Sequence, residues 1–504
     1  MMAVQIQTPG IRLGELLTGL ADPGRFASVV VCGIALDSRR VVEGGLFLAL
    51  SGHARHGLEY VDSAVAHGAA AILAESADAE SATLYRGVPL IKVRHLASQA
   101  GRIAGRFYGE PSRQMHVIGV TGTNGKTSVS HFIAASLQQS APCGVMGTLG
   151  AGLFGALHST GHTTPDPVTL QSLLDSVHRA GASRVVMEVS SHALVQERVA
   201  GVGFDTAVFT NLSHEHLDYH GDMEAYAAAK RQLFEQPGLK TAVINADDPV
   251  GSDWLADLDA DLEIIDYGLA ERHGRSPRLL GTDVRLEQTG LSLAIRSPWG
   301  SGTLATGLLG RFNAHNLLAA LGALLAAGLE FDDALERLSR VQTVPGRMER
   351  FGGGELRPLV VVDYAHTPDA LEHVLRAAGE HCRGSLWCVF GCGGDRDCEK
   401  RPLMGRIAER YADFVVITDD NPRNEDPYSI IEQIQQGMAD PDAAQVIRDR
   451  GEAMARALQA AVPGDVVVIA GKGHESQQVI GGRSLPFSDR ETAARLLGEE
   501  VPSD

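Results

Sequence analysis

The sequence has few positive charges for its length, few aromatic residues and no long apolar run. Lys and Arg number 44 against 62 Asp and Glu, which gives a net charge of −18. Proteins that coat nucleic acids or anionic membranes carry an excess of Lys and Arg, so the composition argues against both partners. Small anionic ligands stay possible, because they need only a local cationic pocket.

The sequence also lacks the marks of a secreted or membrane-spanning protein. No apolar run reaches the length of about 18 residues that a membrane span needs, and the best candidate, Leu317 to Leu329, is short and rich in Ala and Gly. The N-terminus has no cationic segment followed by an apolar core, as a signal peptide would. We therefore expect a cytoplasmic protein without membrane insertion. Its six cysteines are expected to be reduced thiols, since their spacing is not that of paired zinc knuckles.

The organisation of the chain predicts an α/β fold in several domains. A length of 504 residues corresponds to roughly three domains. Apolar strands alternate with helical patterns in three blocks, which we place at 1–110, 111–345 and 346–504. The alternation in the second and third blocks predicts parallel, doubly wound sheets. Residues near 280–308 alternate like antiparallel strands, so the second block is expected to carry a β annex.

A Gly-rich loop connects the apolar strand MHVIGV to a helical pattern. The loop and the first helical residues are Gly122, Thr123, Asn124, Gly125, Lys126, Thr127 and Ser128. Glycines let backbone N–H groups turn toward an anion, the helix N-terminus adds positive potential, and Lys126 adds a charge. The usual phosphate-loop pattern has Gly where this chain has Val120, so the loop is the shorter form GTNGKT. This order of elements indicates a nucleoside-triphosphate site, with Thr127 placed to bind Mg²⁺.

Charged and histidine side chains follow the next strands of the second block. Glu188 lies in the apolar strand VVMEVSS, where a charge is costly unless it forms a structural ion pair or binds a metal. The stretch LSHEHLDYH holds three His and two carboxylates, which suits a metal site, a phosphate site or a solvated acidic loop. Lys230, in the helical pattern DMEAYAAAKRQLF, would by itself be taken for a surface lysine.

Three strands of the third block each end in a polar or Gly-rich loop. The loops are GCGGDRD, DDNPR and GKGHE. Because parallel strands end at the same edge of a sheet, ligands bind there. Arg396 and Arg423 are planar forks suited to carboxylates, while Glu475 could receive an ammonium group. The loops therefore indicate an amino-acid site.

Taken in order, these motifs resemble those of the Mur ligase family, ATP-dependent enzymes that add amino acids to the cytoplasmic peptidoglycan precursor. The resemblance covers nearly the whole chain and rests on DSRRVVEGGLFLALSGH, GTNGKT, EVSSHALVQERV, TNLSHEHLDYHGDM, DYAHTP, GCGGDRD, DNPR and GKGHE. It implies a UDP-binding N-terminal α/β domain, a central ATPase-type domain with a parallel sheet, and a Rossmann-like C-terminal α/β domain. It also implies small-molecule partners and no nucleic acid, and we expect a monomer.

The resemblance implies that one substrate is UDP-N-acetylmuramoyl-L-alanyl-D-glutamate. The residues that match the family at its UDP end are Leu36, Ser38, His53, Ala54 and Arg55, and those at its muramoyl-dipeptide end are Thr163, Thr164, Ser190, Gln196 and Arg198. The chain departs from the family pattern at His162, where the family often has Asn before the paired threonines.

The resemblance also implies how ATP and Mg²⁺ are held. The residues from Gly122 to Ser128 would bind the phosphates, Asn316 the adenine, and Arg347 and Asp363 would reach ATP from the third block. The implied Mg²⁺ ligands are Thr127, Glu188 and His216, together with Lys230 carrying a carbamate formed from CO₂. The implied catalytic residues are Lys126, Lys230, Glu188 and His216. At position 215 this chain has Glu where the family commonly has Asp.

The amino acid implied by the third block is meso-2,6-diaminopimelate. The matching residues are Arg396, Asp420, Asn421, Pro422, Arg423, Gly471 and Glu475. The DNPR loop is typical of the diaminopimelate-adding branch, since the lysine-adding branch usually lacks this Arg; the lysine-adding member remains the nearest alternative. A folylpolyglutamate-synthetase-like ligase shares the ATP core, and a nucleic-acid-dependent motor or switch NTPase would share only the phosphate loop.

Overall fold

The computed structural model describes residues 10–52, 55–77, 81–271 and 275–501. Two compact units are present: Met1–Asp266 with Gly322–Gly328, and Tyr267–Leu321 with Leu329–Asp504. His53 and Ala54, predicted for the UDP end of the substrate, lie outside the described residues.

The first part of the first unit is a small α/β body. Its elements are β1 (Ile11–Arg12), α1 (Leu13–Leu17), β2 (Val30–Val31), β3 (Gly33–Ala35), β4 (Gly45–Ala49), α2 (Val61–Ala66), β5 (Ala71–Glu75), β6 (Ser81–Tyr85), β7 (Val88–Val93) and α3 (Leu96–Phe107). Strands β3-β4-β5-β7-β6 form one sheet, parallel except at its β6 edge. Strand β4 is buried along its whole length, as its continuous apolar sequence predicts.

The rest of the first unit contains the predicted phosphate loop. Its elements are β8 (His116–Thr121), α4 (Lys126–Gln138), β9 (Cys143–Gly147), β10 (Gly150–Leu153), β11 (Ala156–His158), α5 (Pro167–Arg179), β12 (Arg184–Glu188), α6 (Ser191–Val195), β13 (Thr206–Phe209), α7 (Leu217–His220), α8 (Met223–Arg231), β14 (Thr241–Asn245), α9 (Pro249–Trp254) and β15 (Glu263–Gly268).

The order of strands in this sheet decides where the polar loops meet. Strands β9-β12-β8-β13-β14 are parallel neighbours, and β10 and β11 extend the β9 edge antiparallel. Strand β8 therefore has β12 on one side and β13 on the other. Because all three are parallel, the loops after Thr121, Glu188 and Phe209 emerge at the same edge, where open α/β sheets bind ligands.

The second unit contains the predicted annex and the third block. Its elements are β16 (Leu279–Glu287), β17 (Gly290–Ser297), β18 (Gly300–Thr306), α10 (Phe312–Ala326), α11 (Phe331–Ser339), β19 (Glu349–Gly352), β20 (Leu359–Asp363), α12 (Pro368–Gly379), β21 (Leu386–Phe390), α13 (Lys400–Tyr411), β22 (Phe414–Ile417), α14 (Pro427–Gln435), β23 (Gln445–Val446), α15 (Arg450–Ala460), β24 (Val466–Ala470), β25 (Gln477–Ile480), β26 (Arg483–Pro486) and α16 (Asp489–Leu497).

The six-stranded sheet of the second unit places three polar loops at one edge. Its order is β19-β20-β24-β21-β22-β23, and all neighbours except β19 and β20 are parallel. The loops after β21, β22 and β24 therefore share an edge, as the sequence predicted. We call these three loops, Gly391–Asp397, Asp419–Arg423 and Gly471–Glu475, the amino-acid loops.

The predicted fold class is confirmed. The sheets are mixed α/β with parallel centres, and the antiparallel annex is present as β16, β17 and β18. The two-unit division groups this annex with the third block, whereas the sequence placed it in the second; the limits 1–110, 111–345 and 346–504 stay a prediction. No helix in the described residues is long and apolar enough to cross a membrane.

Candidate active site

The phosphate loop, Gly122–Thr127, requires glycine at two positions. Gly122 has a φ of +149° and Gly125 a φ of +85°, values that side chains rarely adopt. A Cβ on Gly122 would lie 1.9 Å from Thr210 Oγ1, so a larger residue would clash. Gly125 precedes the first residue of α4, Lys126, so that the loop ends at a helix N-terminus. This is the geometry that binds phosphate groups.

The end of the neighbouring strand β13 holds the phosphate loop in shape. Thr123 N–H donates to Asn211 O at 2.8 Å, and Asn124 N–H donates to Asn211 Oδ1 at 2.9 Å. Thr210 Oγ1 donates to Asn124 O at 2.6 Å. Sequence analysis did not assign a role to Thr210 or Asn211. The only signal was their position at the end of a predicted parallel strand.

Two lysines converge on one carbonyl of the loop. Lys126 Nζ donates to Gly122 O at 2.8 Å, and Lys230 Nζ donates to the same oxygen at 2.9 Å. Lys230 is not the surface residue that its local pattern suggested, because only 1% of it is exposed. Burial and the nearby Lys126 lower the pKa of Lys230 to about 6. Its amine is therefore largely uncharged at neutral pH.

Glu188 is a buried carboxylate without a cationic partner. Only 2% of it is exposed, and it accepts hydrogen bonds from Thr127 Oγ1 at 3.0 Å, Thr148 Oγ1 at 3.1 Å and Thr148 N–H at 2.8 Å. No Lys, Arg or His in the described part of the chain forms an ion pair with it, so the structural ion pair considered from sequence is absent there. A hydroxyl and a carboxylate are the hard oxygen donors that Mg²⁺ prefers, and the pair Thr127–Glu188 fits that ion.

His216 has no hydrogen bond or ion pair to Thr127 or Glu188 within the described residues. It adopts a left-handed backbone with a φ of +57° and its side chain is 46% exposed. Its ring contacts His192, with centroids 4.9 Å apart, and Tyr226 at 6.1 Å. Within residues 10–52, 55–77, 81–271 and 275–501, no three His, Cys, Asp or Glu side chains are grouped to hold a metal. The structure thus joins Thr127 and Glu188 by a hydrogen bond and gives His216 no such contact with either.

The residues predicted for the muramoyl-dipeptide surround the end of β12. Thr164 Oγ1 donates to Glu188 O at 2.9 Å, and Arg198 Nη1 donates to Thr164 O at 3.0 Å. Arg198 Nε also donates to Gln196 Oε1 at 2.9 Å. The remaining contacts are Thr163 Oγ1 to Thr148 Oγ1 at 3.2 Å and the N-cap of α6 by Ser190. All five residues are together, but Thr164 is buried and supports the backbone of Glu188.

The residues predicted for the UDP end lie beyond two parallel strands of the small sheet. Leu36 and Ser38 follow β3, and Arg55 follows β4, its parallel neighbour. Ser38 is buried and Arg55 exposed. Asp37, between the first two, is held by Arg39, whose hydrogen bonds lower the pKa of that carboxyl to about 2. The turn after β3 is therefore well ordered by its own side chains.

In the second unit, both predicted arginines lie along one Gly-rich loop. A Cβ on Gly393 would lie 2.9 Å from Arg423 Nη1 and 3.8 Å from Arg396 Cγ. Arg423 Nη1 donates to Gly394 O at 2.7 Å, and Arg423 has a φ of +52°. Its backbone pairs with Val479 O at 2.9 Å through its N–H. The absence of a side chain at Gly393 leaves space beside it for the guanidinium of Arg423 and the aliphatic chain of Arg396.

One of the amino-acid loops contains a buried lysine to which sequence analysis gave no role. Lys472 is fully buried, and its Nζ donates to Glu475 Oε2 at 2.9 Å, Gln477 O at 2.7 Å and Asn421 Oδ1 at 3.2 Å. Asn421 Nδ2 donates to the same Glu475 Oε2 at 2.9 Å. Predicted site residues from two loops therefore meet around one ammonium group.

Two further buried ion pairs support these loops and were also missed. Arg401 holds both carboxylate oxygens of Glu425, at 2.6 and 2.8 Å, and donates to Gly393 O at 3.0 Å. Arg450 holds both oxygens of Asp489 at 2.7 Å. Other charged residues flank all four in the sequence, so only the tertiary structure shows which charges form pairs.

Comparisons with known proteins agree with this arrangement. Three family models match the chain: "Mur ligase family, catalytic domain" over residues 30–108, "Mur ligase middle domain" over 120–324 and "Mur ligase, glutamate ligase domain" over 346–473. UDP-N-acetylmuramoyl-L-alanyl-D-glutamate–2,6-diaminopimelate ligase of Pseudomonas aeruginosa is 52% identical over 482 residues, covering 95% of this chain and 98% of its own. The chain belongs to the Mur ligase family.

Two other similar proteins carry the same name. The enzyme of Coxiella burnetii is 48% identical over 489 residues, covering 96% of this chain and 100% of its own. A solved structure of UDP-N-acetylmuramoyl-L-alanyl-D-glutamate–2,6-diaminopimelate ligase is 36% identical, with a TM-score of 0.78, and covers 97% of this chain and 99% of its own. These Mur ligases match the chain along nearly its full length, including the first block.

The other residues expected to bind ATP in a Mur ligase, Asn316, Arg347 and Asp363, lie in the second unit. Asn316 is buried in α10, and its Nδ2 donates to Asn313 Oδ1 at 2.8 Å. Asp363 accepts the N–H groups of Met348 at 2.7 Å and Ala365 at 2.8 Å. Burial outweighs these bonds and raises the pKa of Asp363 to about 6. Arg347 is exposed in the turn before Met348, which leaves its guanidinium available to a ligand.

Proposed function

We propose that this Mur ligase joins meso-2,6-diaminopimelate to UDP-N-acetylmuramoyl-L-alanyl-D-glutamate at the expense of ATP, in the synthesis of the peptidoglycan precursor. The names of full-length relatives at about half identity support the reaction. The observation on which we place most weight is the pair Arg396 and Arg423 around Gly393. Two guanidinium groups at one loop suit an amino acid with a second carboxylate, which lysine lacks.

The chemistry follows from what an amide bond requires. A carboxylate does not accept an amine at neutral pH, so ATP would transfer its γ-phosphoryl group to the D-Glu side chain, giving an acyl phosphate and ADP. The N–H groups at the start of α4 and the ammonium of Lys126 would stabilise the charge on the moving phosphoryl group. The amine of diaminopimelate would then attack the acyl carbon, and phosphate would leave.

We propose that Thr127 and Glu188 hold Mg²⁺. When bound, this ion neutralises the phosphate oxygens and makes the γ-phosphorus easier to attack. The hydroxyl–carboxylate pair at 3.0 Å supports this assignment, as does the absence of a cationic partner for Glu188 in the described residues. His216 stays a prediction as a ligand, because its ring lies against His192 and Tyr226.

We propose further that Lys230 carries a carbamate. Only an uncharged amine attacks CO₂, and the pKa of about 6 supports a large uncharged fraction in the cell. The product replaces a mostly uncharged amine by an anion. That anion would be attracted to the ammonium of Lys126, because the nitrogens of both lysines lie at the carbonyl of Gly122.

Each of the three blocks would then bind a different part of the substrates. In our proposal 1–110 holds the UDP end through Leu36, Ser38 and Arg55, 111–345 holds ATP and the dipeptide, and 346–504 holds the amino acid. We also propose that the enzyme works as a cytoplasmic monomer, which sedimentation of the purified protein tests.

One assay tests the proposed reaction and its amino-acid substrate. The purified chain is given ATP, Mg²⁺ and UDP-N-acetylmuramoyl-L-alanyl-D-glutamate, with diaminopimelate or lysine offered separately, and ADP is measured. We expect ADP with diaminopimelate and little with lysine. A preference for lysine would establish the lysine-adding alternative instead, and ADP release that needs folate, DNA or RNA would refute both.

A further inference from the structure

We propose that Lys472 is a positioning residue for binding of the amino-acid substrate, because it holds Glu475 and Asn421 in one arrangement. The inference rests on the proposed function, because it takes the amino-acid loops to bind diaminopimelate. It concerns a residue that cannot touch the ligand, since Lys472 is fully buried.

The ammonium of Lys472 has three N–H groups and three acceptors. They are Glu475 Oε2, Asn421 Oδ1 and Gln477 O, at 2.9, 3.2 and 2.7 Å. A fourth neighbour, Asp420 Oδ1, lies 3.9 Å away as an ion pair. A compact ammonium satisfies this set, whereas the planar fork of Arg would not. The group is therefore a fixed point to which both loops attach.

These contacts decide which way the amide of Asn421 points. Its Oδ1 accepts from Lys472 and from Val479 N–H at 2.9 Å, so its Nδ2 must face the other way. There it donates to Glu475 Oε2 at 2.9 Å. Without Lys472 the amide would lose one of the two donors that fix that orientation. The lysine thus acts on Glu475 twice, directly and through Asn421.

The result is a carboxylate with one oxygen occupied and one left for a ligand. Glu475 Oε2 takes both protein contacts, and no hydrogen bond to Oε1 forms within the described residues. The Glu475 side chain is 34% exposed, so a ligand can reach this carboxylate. A single available oxygen suits one ammonium group. This matches the one free ammonium that diaminopimelate retains when its other amine is the attacking group.

The protonation of Glu475 supports the same role. Burial raises its pKa, but hydrogen bonds from Lys472 and Asn421 outweigh burial, so the pKa lies below its ordinary value. The other charged or titratable groups that face Glu475 are Asp420, Arg450, Tyr364 and His474. Loss of Lys472 should therefore raise the pKa of Glu475, and binding of the ammonium should weaken as the pH falls.

The test is a set of four proteins: wild type, Lys472→Met, Glu475→Gln and the double variant. We expect Lys472→Met to raise KM for diaminopimelate by about 10- to 150-fold, the range for a hydrogen bond to a charged group. The kcat and KM for ATP should stay within about twofold, and KM for diaminopimelate should rise further toward acid pH. Lys240→Met is the matched control, because it removes an exposed lysine–carboxylate pair in the other unit.

The double variant distinguishes positioning from general stabilisation. If Lys472 acts through Glu475, then Lys472→Met should add less than about twofold to KM in the Glu475→Gln background. This comparison also serves if Lys472→Met alone does not fold, because it needs only Glu475→Gln and the double variant. Independent, additive effects, or an unchanged KM for diaminopimelate in Lys472→Met, would overturn the inference. A wild type inactive with diaminopimelate would instead overturn the proposed function.

Discussion

Glu188 in the first unit and Asp489 in the second are both carboxylates almost out of contact with water, at 2% and 0% exposure. Asp489 is held by both nitrogens of Arg450 at 2.7 Å. Within the described residues, Glu188 is held by hydroxyl and amide donors alone. Burying a charge without a counter-charge is costly. The first unit therefore carries an electrostatic cost that a bound cation would remove, while the second has removed it internally.

Two buried lysines, Lys230 in the first unit and Lys472 in the second, show the same difference as these two carboxylates. Lys472 has two carboxylates within 3.9 Å. Lys230 has a backbone carbonyl, the ring of Tyr226 at 4.4 Å and a second lysine nearby. In our proposal, the phosphate loop is arranged for charges that arrive with substrate and ion, whereas the amino-acid loops are arranged in advance for recognition. The following predictions test that distinction.

The largest expected effect comes from replacing the two buried carboxylates by amides. Asp489→Asn should lower the free energy of unfolding by about 3–5 kcal/mol, because it leaves Arg450 buried and unpaired. Glu188→Gln should not lower it, since no cation is left behind. Thermal unfolding of both variants by circular dichroism checks this. Equal destabilisation by the two substitutions would remove the distinction between the units.

Removing the cation of the phosphate loop should have the next largest effect. Lys126→Ala should lower the rate of ADP formation by about 100- to 1000-fold, the cost of losing one donor to a developing negative charge. The circular dichroism spectrum should not change, because Lys126 Nζ donates to carbonyls of its own loop, Gly122 O and Thr123 O, and is not part of the hydrophobic core. Full activity with an unchanged spectrum would contradict the assignment of the loop.

A smaller effect is expected in the amino-acid loops. Arg423→Ala should lower kcat/KM for diaminopimelate by about 10- to 150-fold, because it removes a hydrogen-bonded fork for the second carboxylate. The difference in kcat/KM between diaminopimelate and lysine should become smaller, and the affinity for ATP should not change. Arg340→Ala, which removes an exposed arginine paired with Glu336, is the control and should change neither. If the variant keeps its preference, Arg423 does not recognise that carboxylate.

The smallest expected effect is the pH dependence of carbamate formation on Lys230. Its pKa of about 6 means that the amine is mostly uncharged above that pH and protonated below it. Uptake of CO₂ should therefore be nearly constant above about pH 7 and fall about tenfold per unit well below pH 6. Two measurements test this pH dependence. The first is the activity that CO₂-depleted enzyme regains when bicarbonate is added. The second is the NMR signal of the carbamate formed from isotope-labelled carbonate. A signal that persists in Lys230→Ala would assign the carbamate elsewhere.

Local sequence patterns were sufficient to predict the fold class and the places where the strands end. The strand MHVIGV, the loop GTNGKT and the helix after it are β8, Gly122–Gly125 and α4, because glycine conformation and apolar periodicity act within a few residues. The DNPR and GKGHE loops follow β22 and β24 for the same reason. The residue types with a chemical role at these points could be named from sequence.

Only the tertiary structure decided which side chains share a partner. Lys230 lies 108 residues from Gly122, whose oxygen it contacts, and Lys472 lies 51 residues from Asn421. Strand order determines such contacts, and no local pattern records which strands are neighbours. The same limit explains why Lys230 resembled a surface lysine and why Asn211, Arg401 and Lys472 were missed. Sequence determined the chemistry available at each strand end, and packing determined which charges were buried, paired or left for a ligand.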